Sequence, residues 1–166
     1  IQDIHDDQGE IALCILSAVN VGGLNDLSEL ENICDLAVRA LEQIIDYQDY
    51  PVKAAEVSTK RRRSLGIGYI GLAHYLAKHG VKYSDPKAWD LVDRLSEAFQ
   101  YHLLRASCNI AMEKGKCEGF ERTKYADGLL PIDHYKKEVD EIVPHKQRMA
   151  WESLRKDIAK YGLRHS

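Results

Sequence analysis

A chain of 166 residues, 45% apolar and 30% charged, is long enough for one globular domain with its own core, which argues against intrinsic disorder. No apolar run approaches the roughly 20 residues needed to span a bilayer, and the acidic first ten residues read as neither signal peptide nor anchor, so a soluble, cytoplasmic protein is expected. The net charge of −3 is spread over both signs and gives no global attraction to nucleic acid or anionic lipid. Cys14, Cys34, Cys108 and Cys117 lack C-x-x-C spacing, which predicts reduced thiols rather than a zinc site or a disulfide framework.

Residues 10–21 (Glu-Ile-Ala-Leu-Cys-Ile-Leu-Ser-Ala-Val-Asn-Val) are nearly continuously apolar between Gly9 and Gly22-Gly23, the pattern of one long strand buried on both faces. Alternation places Ala12, Cys14, Leu16 and Ala18 on one face and Ile11, Leu13, Ile15 and Ser17 on the other. The Cys14 face has the smaller residues and leaves room beside the thiol. After Asn25-Asp26, with Glu29 in capping-box position, Leu27, Leu30, Cys34, Ala37, Leu41 and Ile44 recur at steps of three and four. This predicts an amphipathic helix of about six turns ending near residues 47–51, with Ile33, Leu36, Val38 and Ile45 widening its apolar face for more than one neighbour.

Residues 53–63 read as a polar connector ending in Lys60-Arg61-Arg62-Arg63. Residues 65–71 (Leu-Gly-Ile-Gly-Tyr-Ile-Gly) then lead into a short helix over 72–79 that Gly80 can close with a left-handed cap. Ser84-Asp85-Pro86 announces a second long helix, with a capping residue before proline at the first helical position. Its apolar positions are Ala88, Val92, Leu95, Phe99, Leu103, Ala106 and Ile110, and Gly115 ends it. A loop over 116–130 and two shorter helices over 132–143 and 146–161 follow, separated by Pro144 and stopped by Gly162.

The string Gly66-Ile67-Gly68-Tyr69-Ile70-Gly71 fits G-x-G-x-x-G, in which glycines let backbone approach a pyrophosphate. A basic connector precedes it and no acidic ribose ligand follows at the required distance, so a strand turning into a helix is the favoured reading over a nucleotide-dependent dehydrogenase. The Lys60 to Arg63 run could bind phosphate, but such clusters are usually solvated. His102, His134 and His145 with Cys108 and Cys117 are irregularly spaced, and no metal or cofactor site is expected. Cys14 alone would pass for a small hydrophobe in a strand.

The residues around it weigh the other way. Residues 10–20 resemble a segment of the large, catalytic subunit of aerobic (class I) ribonucleotide reductases, in a bacterial or phage style. The resemblance continues in colinear order through residues 36–51 (Leu-Ala-Val-Arg-Ala-Leu, then Asp-Tyr-Gln-Asp-Tyr-Pro) and residues 62–76 (Arg-Arg-Ser-Leu-Gly-Ile-Gly, then Ala-His-Tyr-Leu). Tyr83-Ser84-Asp85, residues 130–136 and Gly162-Leu163-Arg164 complete it.

The resemblance implies an α/β, predominantly helical fold: residues 1–166 as a single partial domain, a contiguous slice of a ten-stranded barrel with helices outside. It implies that Cys14 is one of two redox-active thiols that reduce the ribose 2′ carbon after a thiyl radical elsewhere has abstracted a hydrogen. The disulfide partner, and an Asn-x-Cys-x-Glu motif with the radical cysteine, would precede Ile1; the loop for substrate phosphates would follow Ser166. The parent enzyme would use a small radical-generating subunit, allosteric ATP or deoxynucleotides, and thioredoxin or glutaredoxin as reductant, with none of these cofactors bound by this segment. The chain alone should not turn over. Cys34 and Cys108 match no family role and read as helix packing residues; Cys117 reads as an exposed loop thiol. The alternative is a helical protein-interaction module without catalysis, indifferent to loss of Cys14.

Overall fold

The computed structural model describes residues 9–141 and 146–165. Its regular elements are β1 (Ile15–Asn20), α1 (Glu29–Tyr47), α2 (Lys53–Arg62), β2 (Leu65–Ile70), α3 (Leu72–Lys78), α4 (Pro86–Lys114) and α5 (Trp151–Tyr161), with a 3-10 turn over Val21–Gly23. β1 and β2 pair in parallel, Ile15 opposite Leu65 and Asn20 opposite Ile70. Parallel partners need a long crossover, and α1 and α2 supply it.

Helices cover one face of this pair. Val19, Ile67 and Tyr69 point into a core with Leu30 and Cys34 of α1 and Leu95 and Phe99 of α4. The opposite face is bare: Leu16 is 71% and Ile70 57% exposed, and Cys14, Ala18 and Gly68 are exposed beside them. The expected long strand buried on both faces is therefore six residues long and open on one side. The alternation was legible, but strand length is set by the partner. β2 begins only at Leu65, so residues 11–14 have no ladder partner among the described residues, and Ile11 instead donates to the Ala54 carbonyl at 3.2 Å.

α1 begins where its cap places it. The Glu29 carboxylate accepts from the Asn25 and Asp26 amides at 3.0 and 3.1 Å, the returning half of a capping box, and Asp26 Oδ1 accepts from the Ser28 amide at 2.8 Å. The helix buries Leu30, Cys34, Val38, Leu41 and Ile45, while Leu36 and Ile44 stay exposed, so the face is narrower than expected. The polar connector is in fact α2. Its buried positions Ala54, Ala55, Ser58 and Thr59 have helical spacing but are small or hydroxylated, so they carry no hydrophobic signal.

The glycine string forms β2 and the start of α3, as the plainer reading expected. Gly71 has φ 78° and serves a close approach, since a Cβ there would lie 2.4 Å from Asn20 Oδ1. α4 starts at Pro86 with Asp85 accepting from the Lys87 amide at 3.1 Å, and buries Ala88, Leu95, Phe99, Ala106 and Ile110.

The loop after α4 is pinned rather than free-standing. The Cys117 amide donates to the Leu163 carbonyl and the Gly119 amide to the Arg61 carbonyl, both at 3.0 Å. Cys117 thereby enters a second core with Phe120, Leu130, Trp151, Leu154, Ile158 and Leu163 and is only 2% exposed, which corrects its reading as an exposed thiol. The helix expected over 132–143 is replaced by 3-10 turns at Pro131–Asp133 and Lys137–Glu141. Ile132, Tyr135 and Val139 mimic helical spacing, but while Ile132 packs on the second core, Tyr135 and Val139 remain exposed, so the three build no buried helical face. Val143, Pro144 and His145 lie outside the described residues. α5 begins at Trp151, later than expected, because the Arg148 and Met149 amides are taken by the Glu97 carboxylate of α4 at 2.7 and 3.1 Å. Among the described residues no helix is long and apolar enough to cross a membrane.

Candidate active site

Cys14 sits at the last position before β1, next to the first inter-strand hydrogen bond, from the Ile15 amide to the Ser64 carbonyl at 3.1 Å. Its thiol is exposed on the bare sheet face. The neighbouring strand offers two glycines there. A Cβ built on Gly66 would lie 2.5 Å from Leu16 Cδ2 and 3.6 Å from Cys14 Sγ, and one on Gly68 would meet nothing within 4 Å. The thiol thus borders a shallow lane floored by backbone, with Leu16 laid across Gly66.

The other cysteines are placed for packing. Cys34 and Cys108 are fully buried in α1 and α4, and burial pushes their thiols up to about 12 and about 11, which keeps them un-ionised and unreactive. Cys117 is buried in the second core. No disulfide joins any of the four. Cys14 alone can meet a ligand or exchange with an external disulfide.

The other sequence candidates are not brought together. His102 is half-buried between α1 and α4, His134 is exposed, and His145 lies outside the described residues. Among the described residues no three His, Cys, Asp or Glu side chains are grouped to hold a metal. At the helix end of the glycine string, the space beside Gly71 is occupied by Asn20 and Gly22. Three members of the basic run stay partly solvated while paired: Lys60 Nζ lies 2.7 Å from Glu56, and Arg61 and Arg62 both bind the buried Glu10 carboxylate; Arg63 differs, being only 4% exposed.

What sequence reasoning missed is Glu42, 1% exposed on the inner side of α1. Its Oε2 accepts from Arg63 Nε at 2.7 Å and His165 Nε2 at 3.0 Å, and its Oε1 from Arg164 Nε at 2.8 Å. Burial raises its affinity for a proton, but the hydrogen bonds from His165, Arg63 and Arg164 outweigh that and hold the carboxyl at about 2. His165 is pushed down by burial and is therefore neutral near pH 7. Its Nε2–H donates to Glu42, and Nδ1 accepts from the Ser107 hydroxyl at 2.9 Å. This row has the residue types of a hydrolytic triad, but Ser107 is 5% exposed and its oxygen also accepts from the His165 amide at 3.1 Å. It is a structural tie. The sequence signal was a carboxylate on an apolar stripe, between Leu41 and Ile45.

The model of the ribonucleotide reductase barrel domain matches residues 3–166. The chain belongs to this family. It is 57% identical over its whole length to the ribonucleoside-diphosphate reductase subunit alpha of Haemophilus influenzae and 55% to that of Buchnera aphidicola subsp. Baizongia pistaciae, covering 22% of each. It is 39% identical, over 99% of its length, to subunit alpha of Enterobacteria phage T4. The chain thus spans about a fifth of the relatives it matches. A barrel domain accounts for helices on only one face of a parallel strand pair, since such sheets are ordinarily covered on both sides.

Proposed function

We propose that this chain is a single partial domain, a contiguous slice of the ten-stranded catalytic barrel of a reductase alpha subunit, and that Cys14 is one of the two thiols that reduce a ribonucleoside diphosphate. The carrying observation is the contrast among the cysteines: Cys14 stands exposed on a small-residue sheet face, and the other three are buried in helix and core packing. In a closed barrel the face away from the helices is the interior, where a substrate would lie.

Two thiols supply two electrons. The ribose 2′ hydroxyl leaves as water, the thiols close to a disulfide, and thioredoxin or glutaredoxin reopens it by exchange. The hydrogen abstraction that starts the cycle belongs to a cysteine radical outside these residues, generated with the small subunit. Allosteric nucleotides bind elsewhere in the parent, and the reaction is cytoplasmic.

The test is diphosphate reduction by the complete alpha subunit carrying this segment, with its small subunit and thioredoxin. Cys14→Ser is expected to abolish sustained turnover, and the chain by itself to show none. A serine variant that turns over like the native protein would sink the assignment and favour a protein-interaction role for the exposed apolar residues of α1.

A further inference from the structure

Glu42 plays no part in the thiol chemistry, yet its buried carboxylate is held by Arg63, Arg164 and His165. Among the described residues Arg63 is the only non-glycine with positive φ (52°), a left-handed conformation that L residues avoid. Its guanidinium explains why it is held there: Nε donates to Glu42 Oε2 at 2.7 Å, Nη2 to the Glu42 carbonyl at 3.1 Å, and Nη1 and Nη2 to Asp46 at 2.9 and 2.8 Å. Arg63 is followed by Ser64, whose carbonyl receives the Ile15 amide, one residue after Cys14. Three links therefore connect Glu42 to Ile15, the residue next to Cys14: its bond to Arg63, the peptide bond to Ser64 and the Ser64 carbonyl. Arg63 lies two residues before the start of β2 and three before Gly66, whose Cα faces Cys14 Sγ across the strand pair.

The second half of the hub acts at the same end of the sheet. Arg164 and His165 bind Glu42, and His165 lines a cavity of about 200 Å³ with Leu65 and Ile67 of β2, Val38 and Ser107. One carboxylate on α1 thus fixes both the start of β2 and the segment after α5.

We propose that Glu42 is a positioning residue for Cys14: through Arg63 it sets where β2 begins beside the thiol, and through Arg164 and His165 it holds the chain's last described segment against that end of the sheet. The proposal rests on Cys14 being the reducing thiol, but its geometric part can be read without turnover.

The experiment uses the complete alpha subunit with its small subunit, as native protein and as Glu42→Gln, Arg63→Lys and Cys14→Ser. It measures kcat and KM for the diphosphate, the rate at which iodoacetamide alkylates Cys14 in the folded state, and the melting temperature. Glu42→Gln should lower kcat about tenfold or more with KM within about twofold, since small misplacements of reacting groups act on the chemical step. It should also change the Cys14 alkylation rate severalfold. Arg63→Lys retains a charge on Glu42 and should recover part of both. A purely structural Glu42 would lower the melting temperature and leave both rates per folded molecule native, which overturns the proposal. If Glu42→Gln does not fold, Arg63→Lys decides, and native rates there overturn it equally. A Cys14→Ser variant that still turns over would overturn the reading of Cys14 as reductant, while the alkylation rates would still decide whether Glu42 positions the thiol.

Discussion

Gly66 is where the shape of the thiol's surroundings depends on a missing side chain. A methyl group there meets Leu16 Cδ2 at 2.5 Å, but Leu16 is 71% exposed and free to swing away, so Gly66→Ala should fold with an unchanged melting temperature. The same methyl stands 3.6 Å from Cys14 Sγ, in van der Waals contact, and narrows the approach to the sulfur. We expect slower alkylation of Cys14 by iodoacetamide in the variant; an unchanged rate would mean that the lane over β2 is not the route to the thiol. Alternation along residues 11–18 was enough to put Cys14 on the small-residue face. It could not say that this face is bare among these residues, because exposure depends on what packs from elsewhere.

At the level of elements, the helices with a hydrophobic stripe and terminal signals were readable, and those without were not. α4 had both: Asp85 caps the Lys87 amide, Pro86 opens the first turn and Gly115, at φ 86°, closes the last. Asp85→Ala leaves that amide without its side-chain acceptor and should cost about 1 kcal/mol, seen as a lower urea midpoint with unchanged slope. A midpoint equal to native would mean that packing of Leu95 and Phe99, not the cap, sets where the helix holds. α2 had neither signal, since it packs through Ala54, Ala55, Ser58 and Thr59. The stretch after Leu130 failed in the opposite sense: its apolar residues have helical spacing, but Tyr135 and Val139 stay exposed and only 3-10 turns form there.

Among the described residues, buried carboxylates join segments far apart in sequence: Glu10 holds Arg61 and Arg62 of α2, and two more act from the long helices. Glu42 ties α1 to the turn before β2 and to Arg164 and His165, while Glu97 ties α4 to the approach to α5 through the Arg148 and Met149 amides and Trp151 Nε1. Burial pushes both toward protonation and their hydrogen bonds prevail, so both are held below the ordinary 4.5, Glu42 at about 2. A carboxyl depressed on folding binds fewer protons in the folded state. Its contribution is complete above the unfolded value and drains away as pH falls through 4.5 toward 2. His165, pushed down by burial, adds loss in the same direction below its ordinary 6.5. The urea midpoint should therefore fall steeply between about pH 5 and pH 3, and less steeply in Glu42→Gln. Equal slopes would remove Glu42 from the account.

The sequence by itself determined the two amphipathic helices, the glycine-bearing second strand, the face on which Cys14 lies and the family resemblance, because periodicity and capping are local properties of the chain. Only the tertiary structure decided that β1 is six residues long, that Cys117 is buried, that the arginine run is paired with carboxylates and that Glu42 gathers four cationic or imidazole partners, Arg63, Lys114, Arg164 and His165. Those outcomes depend on groups up to 123 residues apart meeting in space, and no spacing rule along the chain carries that information.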